Sequence, residues 1–143
     1  MPTSTASATW EGGLKTGKGS FQGDSGAIKG TYSFPTRFEG AKGTNPEELI
    51  AAAHASCLSM ALAAGLEQAG TPARSITTTA ACTLEFVGGA PRLRTMKLVV
   101  RGRVPGIDQA AFAKAAEEAK NGCPVSNALK GNVAFELDAL LLE

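Results

Sequence analysis

Three thiols and one imidazole carry the most reactive side-chain chemistry in this sequence: Cys57, Cys82, Cys123 and His54. Cys57 follows His54 by three positions inside an alanine- and leucine-rich run, where a cysteine can equally be a small buried hydrophobe. Cys123 stands in Gly122-Cys123-Pro124, where one helix must stop and a proline suited to the first position of another restarts it. A thiol at a helix N-terminus meets unpaired N–H groups and the positive end of the helix dipole, and both lower its pKa. A low-pKa thiol is also the better leaving group in thiol–disulfide exchange. The alternative is a cysteine that serves only as a small capping residue. An odd number of cysteines excludes a fully paired disulfide scaffold, and one histidine with three dispersed cysteines makes a poor zinc ligand set. No metal or other cofactor is therefore expected.

Two charged residues extend the list. Arg37 lies among the glycines of Thr36 to Thr44, read as a loop; it is either a solvated surface charge or a guanidinium placed to stabilise a thiolate or to hydrogen-bond a peroxide oxygen. Glu47 falls in a first helical turn, where a carboxylate gains from the dipole with no further role, or holds Arg37 by a bidentate pair.

The elements that must position these groups follow from pattern. Glycines punctuate short extended runs in the first third, including Ser20 to Gln22 and Ala27 to Phe34, which reads as a meander of antiparallel strands. Asn45 then caps a helix with Pro46 at its first position and Glu48 at its third. That helix runs from Pro46 to Gln68 and is closed by Gly70 and Pro72. It is apolar on nearly every side, so burial is expected. Two strands, Ser75 to Val87 and Arg92 to Val104, are joined through Gly88-Gly89-Ala90-Pro91 as a hairpin. Asp108 opens an amphipathic helix to about Lys120 whose apolar side is Phe112, Ala115, Ala116 and Ala119. A short helix from Pro124 to Leu129 and a last strand from Val133 to Leu141 complete the chain. The order is that of a single α+β domain over residues 1–143.

The 143 residues suffice for a real core, and 14 basic against 13 acidic side chains give no electrostatic reason to expect nucleic acid or an anionic membrane as partner. No apolar run is read as a membrane span, and Met1 to Trp10 lacks the pattern of a signal peptide, so the cytoplasm is the expected location.

Six stretches, in order over nearly the whole chain, resemble the osmotically inducible protein C (OsmC) family, relatives of the organic hydroperoxide resistance proteins. They are Trp10-Glu11-Gly12, Thr36-Arg37-Phe38-Glu39-Gly40, Gly43-Thr44-Asn45-Pro46-Glu47-Glu48-Leu49, Ala52-Ala53-His54-Ala55-Ser56-Cys57, Val104-Pro105-Gly106-Ile107-Asp108 and Gly122-Cys123-Pro124-Val125-Ser126. The Thr-Arg-Phe-Glu-Gly segment resembles the osmotically inducible branch. The resemblance implies an OsmC-like fold of antiparallel sheets packed around a long buried central helix, in a two-fold homodimer with active sites at the subunit interface. It implies reduction of organic hydroperoxides by a peroxidatic Cys57 and a resolving Cys123, with Arg37 and Glu47 as the family's arginine and glutamate. An external dithiol, lipoyl-type or other, is the implied electron donor. Cys82 matches no family motif and is read as a strand residue without a catalytic role.

Helix geometry tests the implied dimer. Ten positions separate Glu47 from Cys57, about 15 Å along one straight helix. If the carboxylate serves the thiolate, the helix breaks between them or Glu47 comes from a second subunit. Two copies antiparallel about a two-fold near Ala52 would place Glu47 of one beside Cys57 of the other. Leu58, Met60, Leu62 and Phe38 are candidate members of an apolar wall for the substrate. Two other readings stay open: a redox-responsive binding protein switched by the same disulfide, and a structural dimer with inert cysteines.

Overall fold

Alternating side chains and turn glycines in the first third build a three-stranded antiparallel meander: β1 (Ala6–Glu11), β2 (Lys18–Gly23) and β3 (Lys29–Tyr32), in that order across the sheet. Trp10 and Tyr32 meet across it with ring centroids 5.6 Å apart. Gly19 lies beneath them, where a Cβ would sit 2.5 Å from the Tyr32 ring, so only glycine admits this contact. The computed structural model describes all residues, Met1–Glu143. They form two compact units, Met1–Leu49 and Ile50–Glu143.

The segment read as a loop from Thr36 begins instead inside a short helix, α1 (Phe34–Phe38). Ser33 caps it, accepting from the Thr36 N–H, while the Thr36 hydroxyl accepts from the Ser33 N–H, and Pro35 pre-sets the helical φ. The glycines that suggested a loop lie after it. The extended run also stops earlier than expected, at Tyr32 rather than Phe34.

Helix α2 (Pro46–Gln68) starts at the proline expected of it, with the Asn45 Oδ1 accepting from the Glu48 N–H at 2.8 Å. It closes at Gly70, whose φ of +83° is the left-handed turn that glycine adopts without strain. Its burial is one-sided in the single chain. His54, Leu58, Leu62 and Leu66 recur at every fourth position and are buried, whereas Ala52, Ala53, Ser56, Ala63 and Ala64 are exposed and Met60 is 78% exposed. By length and composition alone this 23-residue helix is apolar enough to cross a membrane, with a mean hydropathy of 1.8 over its most apolar 18-residue window, because alanine fills the positions between the leucines. That corrects the sequence reading that no such run exists. The leucine stripe nevertheless packs within the core of its own chain.

The second sheet contains β4 (Ser75–Val87), β5 (Ala90–Arg103) and β6 (Ala134–Leu141). Gly88 and Gly89 alone form the β4–β5 turn, at φ of +60° and +82°, so β5 begins at Ala90 rather than Arg92. Two left-handed residues match the twist of a hairpin, and only glycine takes both at no cost. One pairing departs from the antiparallel sheets expected: β6 pairs with β5 in parallel. A parallel pair needs a crossover connection, here provided by α3 (Gln109–Gly122) and α4 (Pro124–Leu129). Met96, Leu98 and Val100 alternate inward from β5 and share the core with the α2 leucines and with Phe112 and Ala116 of α3. Phe112 rests directly on the β5 backbone at Gly102, where a Cβ would approach its ring to 2.4 Å.

Candidate active site

Within Met1–Leu49, Arg37 and Glu47 form the bidentate pair. The guanidinium donates from Nε to Oε1 and from Nη2 to Oε2, each at 3.1 Å. The Glu47 side chain is 8% exposed and that of Arg37 36%, so the carboxylate is the buried anchor and the guanidinium the presented group. Asn45 fixes the spacing: its Nδ2 donates to the Thr36 carbonyl at 2.9 Å while its Oδ1 caps α2. One side chain thus ties the end of α1 to the start of α2, bringing residues ten positions apart into a two-point contact. Arg37 also lies 5.4 Å from the centroid of the Phe38 ring, which limits its remaining freedom.

Within Ile50–Glu143, Cys57 and Cys123 are reduced, with their sulfurs 2.8 Å apart. Cys57 is half-buried, one turn after the Ala51-Ala52-Ala53 run; Cys123 is fully buried. Cys123 ends α3 and is also the residue that caps α4, as Gly122-Cys123-Pro124 suggested. Its side chain makes no close cap hydrogen bond, so the first-turn N–H groups act on it chiefly as oriented dipoles. The two thiols titrate as a pair. Burial works to raise the Cys123 pKa but is outweighed by the neighbouring Cys57 thiol and by the Ser126 N–H and hydroxyl and the Val125 N–H, so it is lowered overall. Burial, then the contact with Cys123, raises that of Cys57, against a smaller lowering by the Val125 N–H. In the single chain the negative charge therefore rests first on Cys123.

His54 is buried and its Nε2 lies 2.7 Å from the Ser126 Oγ. Its ring meets Phe135 edge-on, with centroids 5.3 Å apart. Desolvation lowers its pKa, so it is neutral at pH 7. Sequence reading weighed His54 only as a metal ligand and assigned nothing to Ser126. The available signals were positional: His54 shares the four-residue stripe of the core leucines, and Ser126 is the third residue after the cap of α4. No group of three or more histidine, cysteine or carboxylate side chains gathers to hold a metal.

Cys82 lies on β4 opposite Met96 of β5. Leu58 and Leu62 have no exposed surface, so they cannot form the substrate wall expected of them; they face the core because they share the stripe with Leu66. An apolar groove of about 610 Å³ does border the C-terminal half of α2, but between Ala61, Ala64 and Gly65 and the Ala111–Ala115 side of α3, with neither reactive cysteine in its lining.

Residues 39–138 match the family model described as OsmC-like protein. The chain is 47% identical over 130 residues to Peroxiredoxin OsmC of Escherichia coli (strain K12), covering 90% of this chain and 91% of that protein. It is 32% identical over 137 residues to the organic hydroperoxide resistance protein of Xanthomonas axonopodis pv. citri (strain 306), covering 93% and 92% respectively. Among solved structures, the organic hydroperoxide resistance protein OhrB of Bacillus subtilis superposes with a TM-score of 0.76 at 27% identity, covering 95% of this chain and 98% of that one.

Proposed function

The chain belongs to the OsmC-like family, and from that premise we propose that it is a cysteine-based peroxidase that reduces organic hydroperoxides to alcohols. Its relatives' names, a peroxiredoxin and an organic hydroperoxide resistance protein, support a peroxide-directed redox activity. The observation that carries the reading is the reduced thiol pair: two sulfurs 2.8 Å apart, one accessible and one buried.

The accessible sulfur, Cys57, is the nucleophile. As a thiolate it attacks the terminal peroxide oxygen, the O–O bond breaks, and the alkoxide takes a proton and leaves as alcohol. Cys57 becomes a sulfenic acid. Cys123 attacks that sulfur, an S–S bond forms, and hydroxide leaves and is protonated to water. An external dithiol then reduces the disulfide and is itself oxidised by two electrons.

For Cys57 to be the attacking thiolate, the shared proton must move to Cys123, and a guanidinium beside Cys57 would move it. Helix α2 is unbroken, which removes the break that one copy would need to bring Glu47 back toward Cys57. A two-fold homodimer about Ala52 meets the requirement: positions 47 and 57 are equally distant from 52, so Arg37, held by Glu47, would serve Cys57 of the other copy. The exposed face of α2, built from Ala52, Ala53, Ser56 and Met60, suits close approach of a second helix. A cytoplasmic setting, with a lipoyl-type or other dithiol as donor, fits a pair that must be re-reduced at every turnover.

The test is turnover of cumene hydroperoxide against hydrogen peroxide with a dithiol donor. Multiple turnovers favouring the organic substrate support the reading. Stoichiometric oxidation without turnover, over a range of dithiols, replaces it with a redox switch. Mixing inactive Cys57→Ser and Arg37→Gln proteins tests the shared site, since a mixed dimer regains one complete site while either protein alone has none.

A further inference from the structure

The mechanism above does not use the buried imidazole of His54, whose Nδ1 has no hydrogen-bond partner. Its other nitrogen touches Ser126, which stands in the first turn of α4, three residues after the cap Cys123, and the three side chains are all buried. Two side-chain contacts, His54 to Ser126 at 2.7 Å and Cys123 to Cys57 at 2.8 Å, therefore flank the start of α4, which carries both Cys123 and Ser126.

We propose that His54 and Ser126 are positioning residues, a donor relay that aims the Ser126 hydroxyl at Cys123 and so fixes the direction of both disulfide steps. The tautomer decides how the relay works. A neutral imidazole carries one N–H. On Nδ1 that proton would be a buried donor without an acceptor, and Nε2 would draw the Ser126 hydroxyl proton away from the sulfur. On Nε2 it donates to Ser126 Oγ, freeing the serine proton to point at Cys123, and only a bare nitrogen lone pair goes unmatched. Every donor is then satisfied, and the chain ends on a sulfur stabilised as thiolate.

The consequence rests on the peroxidase reading for the roles of the two thiols; the relay itself does not. When Cys57 is a sulfenic acid, the Cys123 thiolate attacks Cys57 Sγ, the S–S bond forms, the S–O bond breaks, and the departing hydroxide is protonated to water. When a dithiol attacks the disulfide, it reaches Cys57, the accessible sulfur, and the S–S bond breaks toward Cys123, which leaves as the stabilised thiolate. The mixed disulfide therefore forms on Cys57. The donor's second thiolate then attacks its own sulfur in that bond, releasing Cys57 as thiolate and the donor as a cyclic disulfide.

The test needs no peroxide. In a Cys57→Ser, Cys82→Ala background, the thiolate absorbance near 240 nm is titrated for otherwise wild-type protein and for Ser126→Ala, Ser126→Thr and His54→Phe. The relay requires the Cys123 midpoint to rise by about one unit in Ser126→Ala, the scale of one lost hydrogen bond to a charged acceptor. His54→Phe should raise it likewise, and Ser126→Thr, which keeps the hydroxyl, should restore it. A midpoint unmoved in folded Ser126→Ala protein overturns the relay, as does a Thr variant that behaves like Ala. Should His54→Phe fail to fold, the serine pair decides alone. Loss of peroxide turnover in the wild type would sink the function proposed above and leave this titration intact.

Discussion

The ion pair and the thiol pair are built alike and assembled differently. In each, one member is buried and one presented: Glu47 holds Arg37, and Cys123 lies behind Cys57. The ion pair joins residues ten apart, through a capping box, a proline and a shared asparagine. The thiol pair joins residues 66 apart, and its meeting depends on α2 packing within a core that α3, β5 and the α4 junction complete. A local pair is set by turn and cap chemistry; a distant one is set only when the whole core closes. The buried member in each case orients or tunes its partner, and the accessible member is the one that meets substrate in the proposed reaction.

The sharpest way to break this comparison is at the accessible thiol. Cys57→Ser is expected to abolish peroxide turnover, a loss of about 1,000-fold or more because no other group takes the nucleophile's role. Cys123→Ser should instead allow a single oxidation, leaving a sulfenic acid that a dimedone probe traps on Cys57. If the Cys57→Ser protein turns over at the wild-type rate, the assignment of the accessible member is wrong.

A smaller loss is expected when the buried anchor of the ion pair is weakened. Glu47→Gln leaves Arg37 charged but removes one half of the fork, and kcat/KM should fall by about 10- to 100-fold, the range seen when a positioning group is loosened. Arg37→Lys should behave similarly, since an ammonium cannot make the two-point contact. Equal kinetics for wild type and both variants would show that the pair serves the fold alone.

The buried imidazole sharpens the comparison through stability rather than rate. Folding holds the His54 pKa below its ordinary 6.5. Below pH 6.5 the unfolded chain therefore takes up a proton that the folded chain refuses, so the stability this residue contributes falls as the pH drops from 6.5 toward the lowered folded value. Urea-denaturation midpoints of wild type and His54→Gln, compared at pH 7.5 and 5.5, should show a steeper acid loss in the wild type. Parallel losses would mean that His54 is not held neutral. The smallest effect belongs to Cys82→Ala: with the residue on β4, opposite Met96 of β5, turnover should stay within about twofold of wild type. A larger loss would place a third thiol in the chemistry.

Much of this was legible in the residues. Asn45-Pro46 marked the start of α2, Gly70 its end and Gly122-Cys123-Pro124 the junction of α3 and α4, because caps and prolines act on their immediate neighbours. The six matched stretches carried the family, and with it the expectation that Cys57 and Cys123 act together. Less legible was α1: its signal, Ser33 with Thr36, is short and was masked by the glycines that follow it.

What the tertiary structure alone decided concerns contacts between distant segments. It paired β6 in parallel with β5, a choice that local alternation does not encode, since parallel and antiparallel strands share the same period of two. It turned Leu58 and Leu62 into the core, leaving Met60 outside, because a helix that is apolar all round acquires a buried face only from what packs on it. It also set Ser126 against His54, a contact across 72 positions that no spacing rule could anticipate. Sequence by itself determined the elements and the identities of the reactive groups, for those follow from covalent chemistry and near-neighbour sterics. Which group lies buried, and beside what, depends on a core that exists only once all the elements have closed around it.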